Sequence, residues 1–479
     1  MFNDKKTKVL KNIKIAKWLP LIALLFTLQS CFVAKRYERP QNALPTADLF
    51  RKEYQQVDSA NIGLIKRAEF FTDPLLQVYI ETALQNNLDI NIALENIKAS
   101  RSYYLQSGKA FLPSLNVGPG VNYTSQSLNT QFGQMIGERQ HLFQFDLTAS
   151  VSWEADIWGK LTSSKRAALT EMQRTITGQQ ALQTTLVSHV ASLYYQLLIL
   201  DEQQKVTEHT IETRTKSLET SKALKLEGTL SEAAVKQSEA LIYNAQSLLV
   251  QVNNQIEVTE NAFNLLLAGE SKTVERGTLD DQQIVMDLAI GVPYQLLSNR
   301  PDVRAAEYDL MRNFQLVNVA KAEFYPSFRL TASSGFQSID IDQLFSPRAL
   351  FGNVIASLTQ PVWNRRQLKT RHEISLANQQ IAYLNYRKSI LNAGKEVSDA
   401  LSNFKSQTQI EKFKEKEYLA YQSATIYSQK LMNHGLANYL EVLRAQEHEL
   451  NTQINILDAK YQKLNAIVQL YKALGGGTK

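Results

Sequence analysis

The chain has 479 residues, 44% of them apolar and 20% charged, enough to bury one large core or two ordinary ones and too apolar for a disordered polymer. Its net charge of +6 sits mostly at the amino terminus, where residues 1–30 hold Lys5, Lys6, Lys8, Lys11, Lys14 and Lys17 against Asp4. The rest is close to neutral, which argues against a nucleic-acid surface, and the single cysteine, Cys31, excludes an internal disulfide.

In chain order, residues 1–30 read as an export signal. A basic stretch precedes the apolar run Trp18–Leu28, which is too short to cross a bilayer core of ~30 Å. The run ends in Leu28-Gln29-Ser30-Cys31, which resembles a bacterial lipobox; the resemblance implies cleavage before Cys31 and its acylation. Phe32 stands where an acid commonly marks inner-membrane retention, so the resemblance points to the outer membrane. Residues 31–72, with Pro40 and Pro45 and no sustained period, read as an extended acylated tether.

Residues 73–268 form a first repeat. Asp73-Pro74 opens a helical stretch that Pro113 ends. A β-hairpin follows over 114–154. Leu115, Val117, Val121 and Tyr123 alternate with polar or glycine positions, and after a polar connector Phe143, Phe145, Leu147, Ala149, Val151 and Trp153 do the same. Past Trp158-Gly159 the period becomes helical over 159–268. Leu186, Val190, Leu193, Leu197 and Leu200 step by fours and threes, and beyond Gly228 the seam continues from Val235 and Ile242 to Phe263 and Leu266. Charged residues such as Lys165, Arg166, Glu171 and Asp201 keep this helix, ~100 Å long at 1.5 Å per residue, out of lipid.

Residues 269–298 read as a linker, and 299–479 repeat the first unit, with a β-hairpin at 327–361 and a long helical hairpin at 364–474. Pro113-Ser114 returns as Pro326-Ser327, and Trp158 as Trp363. At the separation of the two tryptophans, Ala245, Val252, Phe263 and Leu266 fall on Leu450, Leu457, Val468 and Tyr471.

The strands have the length of tilted transmembrane β-strands. Four cannot close a barrel, so closure needs further chains: two would give a filled interior and three an open lumen. The polar inward set, Asn116, Asn122, Gln144, Asp146, Thr148 and Ser150, favours three.

Several motifs resemble the outer-membrane efflux protein (TolC-like) family, in its acylated OprM/NodT-type lipoprotein branch. They are Ser152-Trp153-Glu154-Ala155-Asp156-Ile157-Trp158-Gly159-Lys160, Asn299-Arg300-Pro301-Asp302-Val303, Ala322-Glu323-Phe324-Tyr325-Pro326-Ser327 and Tyr471-Lys472-Ala473-Leu474-Gly475-Gly476-Gly477. The resemblance implies a mainly α fold with a transmembrane β-barrel: a homotrimeric, twelve-stranded barrel, four strands per chain, continuing into an α-helical coiled-coil tunnel in the periplasm. It implies a passive, non-enzymatic multidrug efflux channel in the cell outer membrane, lipid-anchored. Its partners would be a periplasmic adaptor (membrane fusion) protein, an inner-membrane pump of the RND or ABC type and outer-membrane lipid. A type I secretion exit duct and a coiled-coil outer-membrane lipoprotein without a pore remain alternatives.

Adaptor docking falls at the two helical turns farthest from the strands. These are Gly228, Thr229 and Leu230, and Gly435, Leu436 and Ala437; the glycines permit a left-handed helix end, and Thr229, Leu230, Leu436 and Ala437 read as exposed tips. Ser231 and Asn438 read as N-caps of the returning helices. Tyr427, Met432 and His434 are weak candidates for a ring that shuts the tunnel. The six histidines are scattered without metal-ligand spacing, so no catalytic residue, cofactor or metal is expected.

Overall fold

The structure, a computed structural model, describes residues 33–40, 67–282 and 300–476. Cys31 and the expected signal at 1–30, residues 41–66 of the expected tether, 283–298 of the expected linker, Asn299 and Gly477 lie outside the described residues. The chain divides into two compact units, each drawing on both halves of the sequence. One takes in Met1–Pro40, Lys98–Gln173 and Glu307–Leu384, the other Gln41–Ile97, Arg174–Ala306 and Asn385–Lys479.

The main elements are α1 (Pro74–Asn86), α2 (Leu88–Lys109), β1 (Ser114–Ser125), β2 (His141–Ala155), α3 (Lys160–Leu226), α4 (Glu232–Leu266), α5 (Pro301–Ala322), β3 (Ser327–Ser338), β4 (Leu350–Thr359), α6 (Gln367–Asn433) and α7 (Tyr439–Ala473). Helices α3 and α6 have 67 residues each, and α4 and α7 have 35 each.

In the first unit the four strands form one antiparallel sheet in the order β1-β2-β3-β4. Register puts Pro119 opposite Leu147, Leu147 opposite Phe336 and Phe336 opposite Leu350. Because paired residues share a face, this row and its period-two neighbours make one face apolar, from Val117 and Val121 through Phe143 and Val151 to Leu330, Val354 and Leu358. The other face carries Asn116, Asp146, Thr148, Ser150, Arg329, Ser333 and Asn353. Much of the apolar face is open to solvent: Val117 is 65% and Val354 71% exposed.

The expected closed transmembrane barrel, and with it the twelve-stranded trimeric form, is corrected by this sheet. The chain forms an open sheet with β1 and β4 at opposite edges. Four strands at ~4.8 Å spacing make a ribbon only ~15 Å wide, too narrow to bend its edges together. Among the described residues no helix is long and apolar enough to cross a membrane.

The junctions between strands and helices are fastened by side chains. Asp156 accepts from the backbone N–H of Leu161 and Thr162, both at 2.8 Å, and so caps α3. Trp153 Nε1 donates to the Phe111 carbonyl at 2.9 Å. Trp158 stacks on Tyr325, with ring centroids 4.9 Å apart, and its Nε1 donates to the Pro326 carbonyl at 2.8 Å. In the same unit the extended segment 33–40 is strapped along α5. The buried Asn318 side chain accepts from the Lys35 N–H at 3.3 Å and donates to the Lys35 carbonyl at 2.9 Å, a side-chain imitation of strand pairing. Tyr37 sets its ring edge-on to Phe314, and Arg39 grips Glu307 through two bonds of 2.6 and 2.7 Å.

In the second unit the heptad seam is the core. Leu186, Val190, Tyr194 and Leu197 of α3 pack with Phe263 of α4, Val468 and Tyr471 of α7, and Phe71, Leu76 and Ile80 from the start of the chain. Each such large side chain contributes about 1.5–3 kcal/mol on full burial. Two arginines tie separate segments of this unit together. Arg276 binds Asp201 with bonds of 2.6 and 2.7 Å, Glu260 at 2.5 Å and the Val274 carbonyl at 2.9 Å. Buried Arg300 binds Asp302, Glu396 and the Ala473 carbonyl, satisfying the last turn of α7.

Candidate functional site

The two turns that end the long helices, at Gly228 and Gly435, are built alike. In the first, Gly228 has φ +78°, its N–H donates to Lys225, and Thr229 N–H reaches back to the Leu224 carbonyl at 3.0 Å. In the second, Gly435 has φ +73°, its N–H donates to Met432, and Leu436 N–H reaches back to Leu431 at 2.9 Å. Both are helix ends that stop the ladder by one left-handed residue. Ser231 Oγ then accepts from Ala234 N–H and Asn438 Oδ1 from Leu440 N–H, so each returning helix starts on a side-chain cap.

Both turns lie in the second unit, and an apolar cluster joins them. Tyr439, Val442 and Leu443 of α7 are buried, and Leu230 from the first turn packs against them with Ala234, Leu241 and Met432. The Tyr439 hydroxyl, under the cluster, lies 2.6 Å from Ser221 Oγ, 3.1 Å from Ser238 Oγ and 3.3 Å from Ser217 Oγ. One phenol therefore ties α7 to α3 and α4. A further crosslink comes from Arg214 of α3, whose guanidinium donates to the Leu241 carbonyl at 2.8 Å and the Gln446 carbonyl at 3.3 Å. Burial pushes this guanidinium below its ordinary value, and the nearby carboxylates of Glu447 and Glu449 oppose the shift. At the rim Lys225 pairs with Glu232.

The sequence-predicted tip residues thus divide. Thr229 is exposed, its Oγ1 donating to the Leu224 carbonyl at 2.6 Å, and Leu436 is 76% exposed. Leu230 and Ala437, expected at the surface, are half-buried, Leu230 because it is the staple between the turns. Leu226, which the sequence places at the start of the first turn without marking it as a contact residue, is 88% exposed. Its signal was available, since it is a large apolar residue off the seam in the last turn of a helix. Of the three weak ring candidates, Tyr427 and His434 are exposed and Met432 packs into the Tyr439 cluster. The joined turns present Leu226 and Leu436 to solvent. Such a surface can dock a partner by apolar contact. Among the described residues no group of acids, cysteines and histidines is arranged to hold a metal ion.

Comparison with known proteins covers nearly the whole chain. The model of the family described as "Outer membrane efflux protein" matches residues 79–269 and 292–476. The solvent efflux pump outer membrane protein SrpC of Pseudomonas putida is 30% identical over 470 residues, spanning 96% of this chain and 98% of its own. The cation efflux system protein CusC of Escherichia coli strain K12 is 28% identical over 473 residues, spanning 96% and 99%. A crystal structure of CusC superposes with a TM-score of 0.81 at 26% identity, covering 93% of this chain and 99% of that one. The open-state MtrE outer membrane channel of Neisseria gonorrhoeae shares the fold, with a TM-score of 0.80 at 24% identity over 94% and 99%.

Proposed function

The chain belongs to the outer membrane efflux protein family, and from that premise we propose how it serves as the outer-membrane channel component of a tripartite efflux system. It is a transport protein, as its relatives are, and not an enzyme. The observation that carries the reading is the family match to both halves of the chain, 79–269 and 292–476, which include both joined turns.

In this reading copies of the chain assemble, as a homotrimer, and bury the apolar positions that one copy leaves open, among them Val250, Leu265 and Phe413 on the long helices. The apolar face of the sheet meets outer-membrane lipid, and Cys31 is acylated and adds an anchor. A periplasmic adaptor seats on the turns at Gly228, Thr229, Leu230, Gly435, Leu436 and Ala437, with Leu226 and Leu436 making the contact and Leu230 holding the two turns together. An inner-membrane pump delivers the cargo and supplies the energy. Relatives carry names for solvent efflux and for cation efflux, and small molecules of either kind are suitable cargo to test.

The test is complementation. A strain lacking the gene should become sensitive to cargo of its pump and recover with the wild-type chain, while the double variant Leu226→Glu, Leu436→Glu should reach the outer membrane and fail to restore efflux. Full recovery by that variant would refute the docking assignment. Absence of conductance from the purified protein in a planar bilayer would refute the channel.

A further inference from the structure

We infer that Asp146 sets the charge preference of the passage, favouring cationic cargo over anionic cargo of similar size. This rests on the proposed reading, in which the apolar face of the sheet meets lipid and the opposite, polar face is left to the water-filled path.

Over most of its area the polar face is built from uncharged groups such as Asn116, Gln144, Ser150, Ser333 and Asn353. The charged strand residues on it are Asp146, Glu154 and Arg329. Glu154 is matched, with Lys160 Nζ 2.7 Å and Arg329 Nη2 3.4 Å from its carboxylate. Asp146 has no cation within ion-pairing distance among the described residues, and its Oδ2 accepts from the neutral Thr148 Oγ1 at 3.2 Å. Positions 146 and 154 lie about 27 Å apart along β2 at ~3.4 Å per residue, well beyond the ~8 Å screening length of physiological salt. Lys160 and Arg329 therefore leave the charge at Asp146 unopposed. The connectors beyond the other end of the strands carry Glu138, Asp340 and Asp342 against Arg139 and Arg348, an excess of the same sign.

The floor around this carboxylate is low. Gly120 stands directly opposite Asp146 in the register, and Gly118 and Gly335 flank Thr148 in the next row. A methyl group at Gly120 would lie 2.6 and 2.8 Å from the two carboxylate oxygens, so the carboxylate extends over the glycine and fits there because the glycine has no side chain. On its other side Asp146 faces Gln337, an uncharged amide. A lone acid among glycines and small polar groups stands where a passing ion reaches it. In a narrow aqueous path between low-dielectric walls, wall charge of one sign enriches the counter-ion and repels the co-ion.

The test is the reversal potential of the purified full-length protein in a planar bilayer across a KCl gradient. The wild type should pass K⁺ in preference to Cl⁻. Asp146→Asn, nearly the same in shape, should lower the permeability ratio about threefold, the Boltzmann weight of one unit charge roughly 6 Å from a passing monovalent ion in water. Asp146→Lys should lower it further. Returning the charge at a second position on the same face, in the double variant Asp146→Asn, Ser150→Asp, should restore the ratio, which a merely structural role for Asp146 would not do. An unchanged ratio in Asp146→Asn, or no recovery in the double variant, would overturn the assignment and leave the channel in place. Absence of any conductance from the wild type would remove the passage, and both readings with it.

Discussion

Replacing Tyr471 by phenylalanine should stabilise the helical unit and blunt its sensitivity to alkali. Tyr471 is 3% exposed, and its ring lies 5.0 Å from both Phe70 and Phe71. Its hydroxyl is buried without a hydrogen-bond partner among the described residues. An unmade bond at a buried polar group costs about 1–3 kcal/mol, so Tyr471→Phe should raise stability by roughly 1 kcal/mol or more, with the ring packing kept. Burial also pushes the phenol up to about 12, against 10.0 for a free tyrosine, with Arg67 acting in the opposite sense. A group whose folded value is raised gives stability that is complete below pH 10 and is lost as pH climbs through about 12. Two units correspond to about 3 kcal/mol as an upper figure. Urea unfolding of the detergent-solubilised wild type and variant, followed by far-ultraviolet circular dichroism at pH 8 and pH 11.5, measures both effects. Other buried tyrosines titrate equally in the two proteins, so the difference isolates this one. A variant less stable at pH 8, or one that loses as much stability in alkali as the wild type, would show that the hydroxyl has a partner and that the reasoning is wrong.

Other outcomes follow from the same geometry. Arg276→Met leaves Asp201 and Glu260 facing each other without their cation. Because Asp201 is one-quarter exposed, the loss should be about 2–4 kcal/mol, toward the lower part of the range for a fully buried pair, and should show as faster proteolysis between residues 271 and 282. Gly435→Ala meets no atom within 4 Å, so its cost is the left-handed backbone alone, about 1–2 kcal/mol. Gly476→Ala drives a methyl into the Tyr471 ring and should cost more, read as a lower melting temperature than that of Gly435→Ala. The Leu226→Glu, Leu436→Glu variant should separate membrane delivery from efflux, as measured by outer-membrane fractionation beside drug susceptibility.

The sequence alone determined the local structure. A period of two over Phe143 to Trp153 and a period of three and four from Leu186 onward are properties of neighbouring residues, and neighbouring residues decide whether backbone extends or coils. The left-handed turns at Gly228 and Gly435 and the caps at Ser231 and Asn438 were legible for the same reason. The family was legible too, through motifs that each have a local task, such as Asp156 capping α3.

What only the tertiary structure decided is which surfaces are left over. Exposure depends on partners far away in the chain, so Leu230, expected at the surface, became half-buried once Tyr439, distant in sequence, came to lie beside the first turn, while Leu226 stayed open. The strap of residues 33–40 depends on Asn318 standing opposite Lys35, which no periodicity encodes. The closed barrel was an overreach of the same origin. Alternation fixes the two faces of a strand and the strand count shows that one chain cannot close a ring, but carrying that on to a closed barrel went past what the residues hold, and the chain's own sheet is open with an edge at each side.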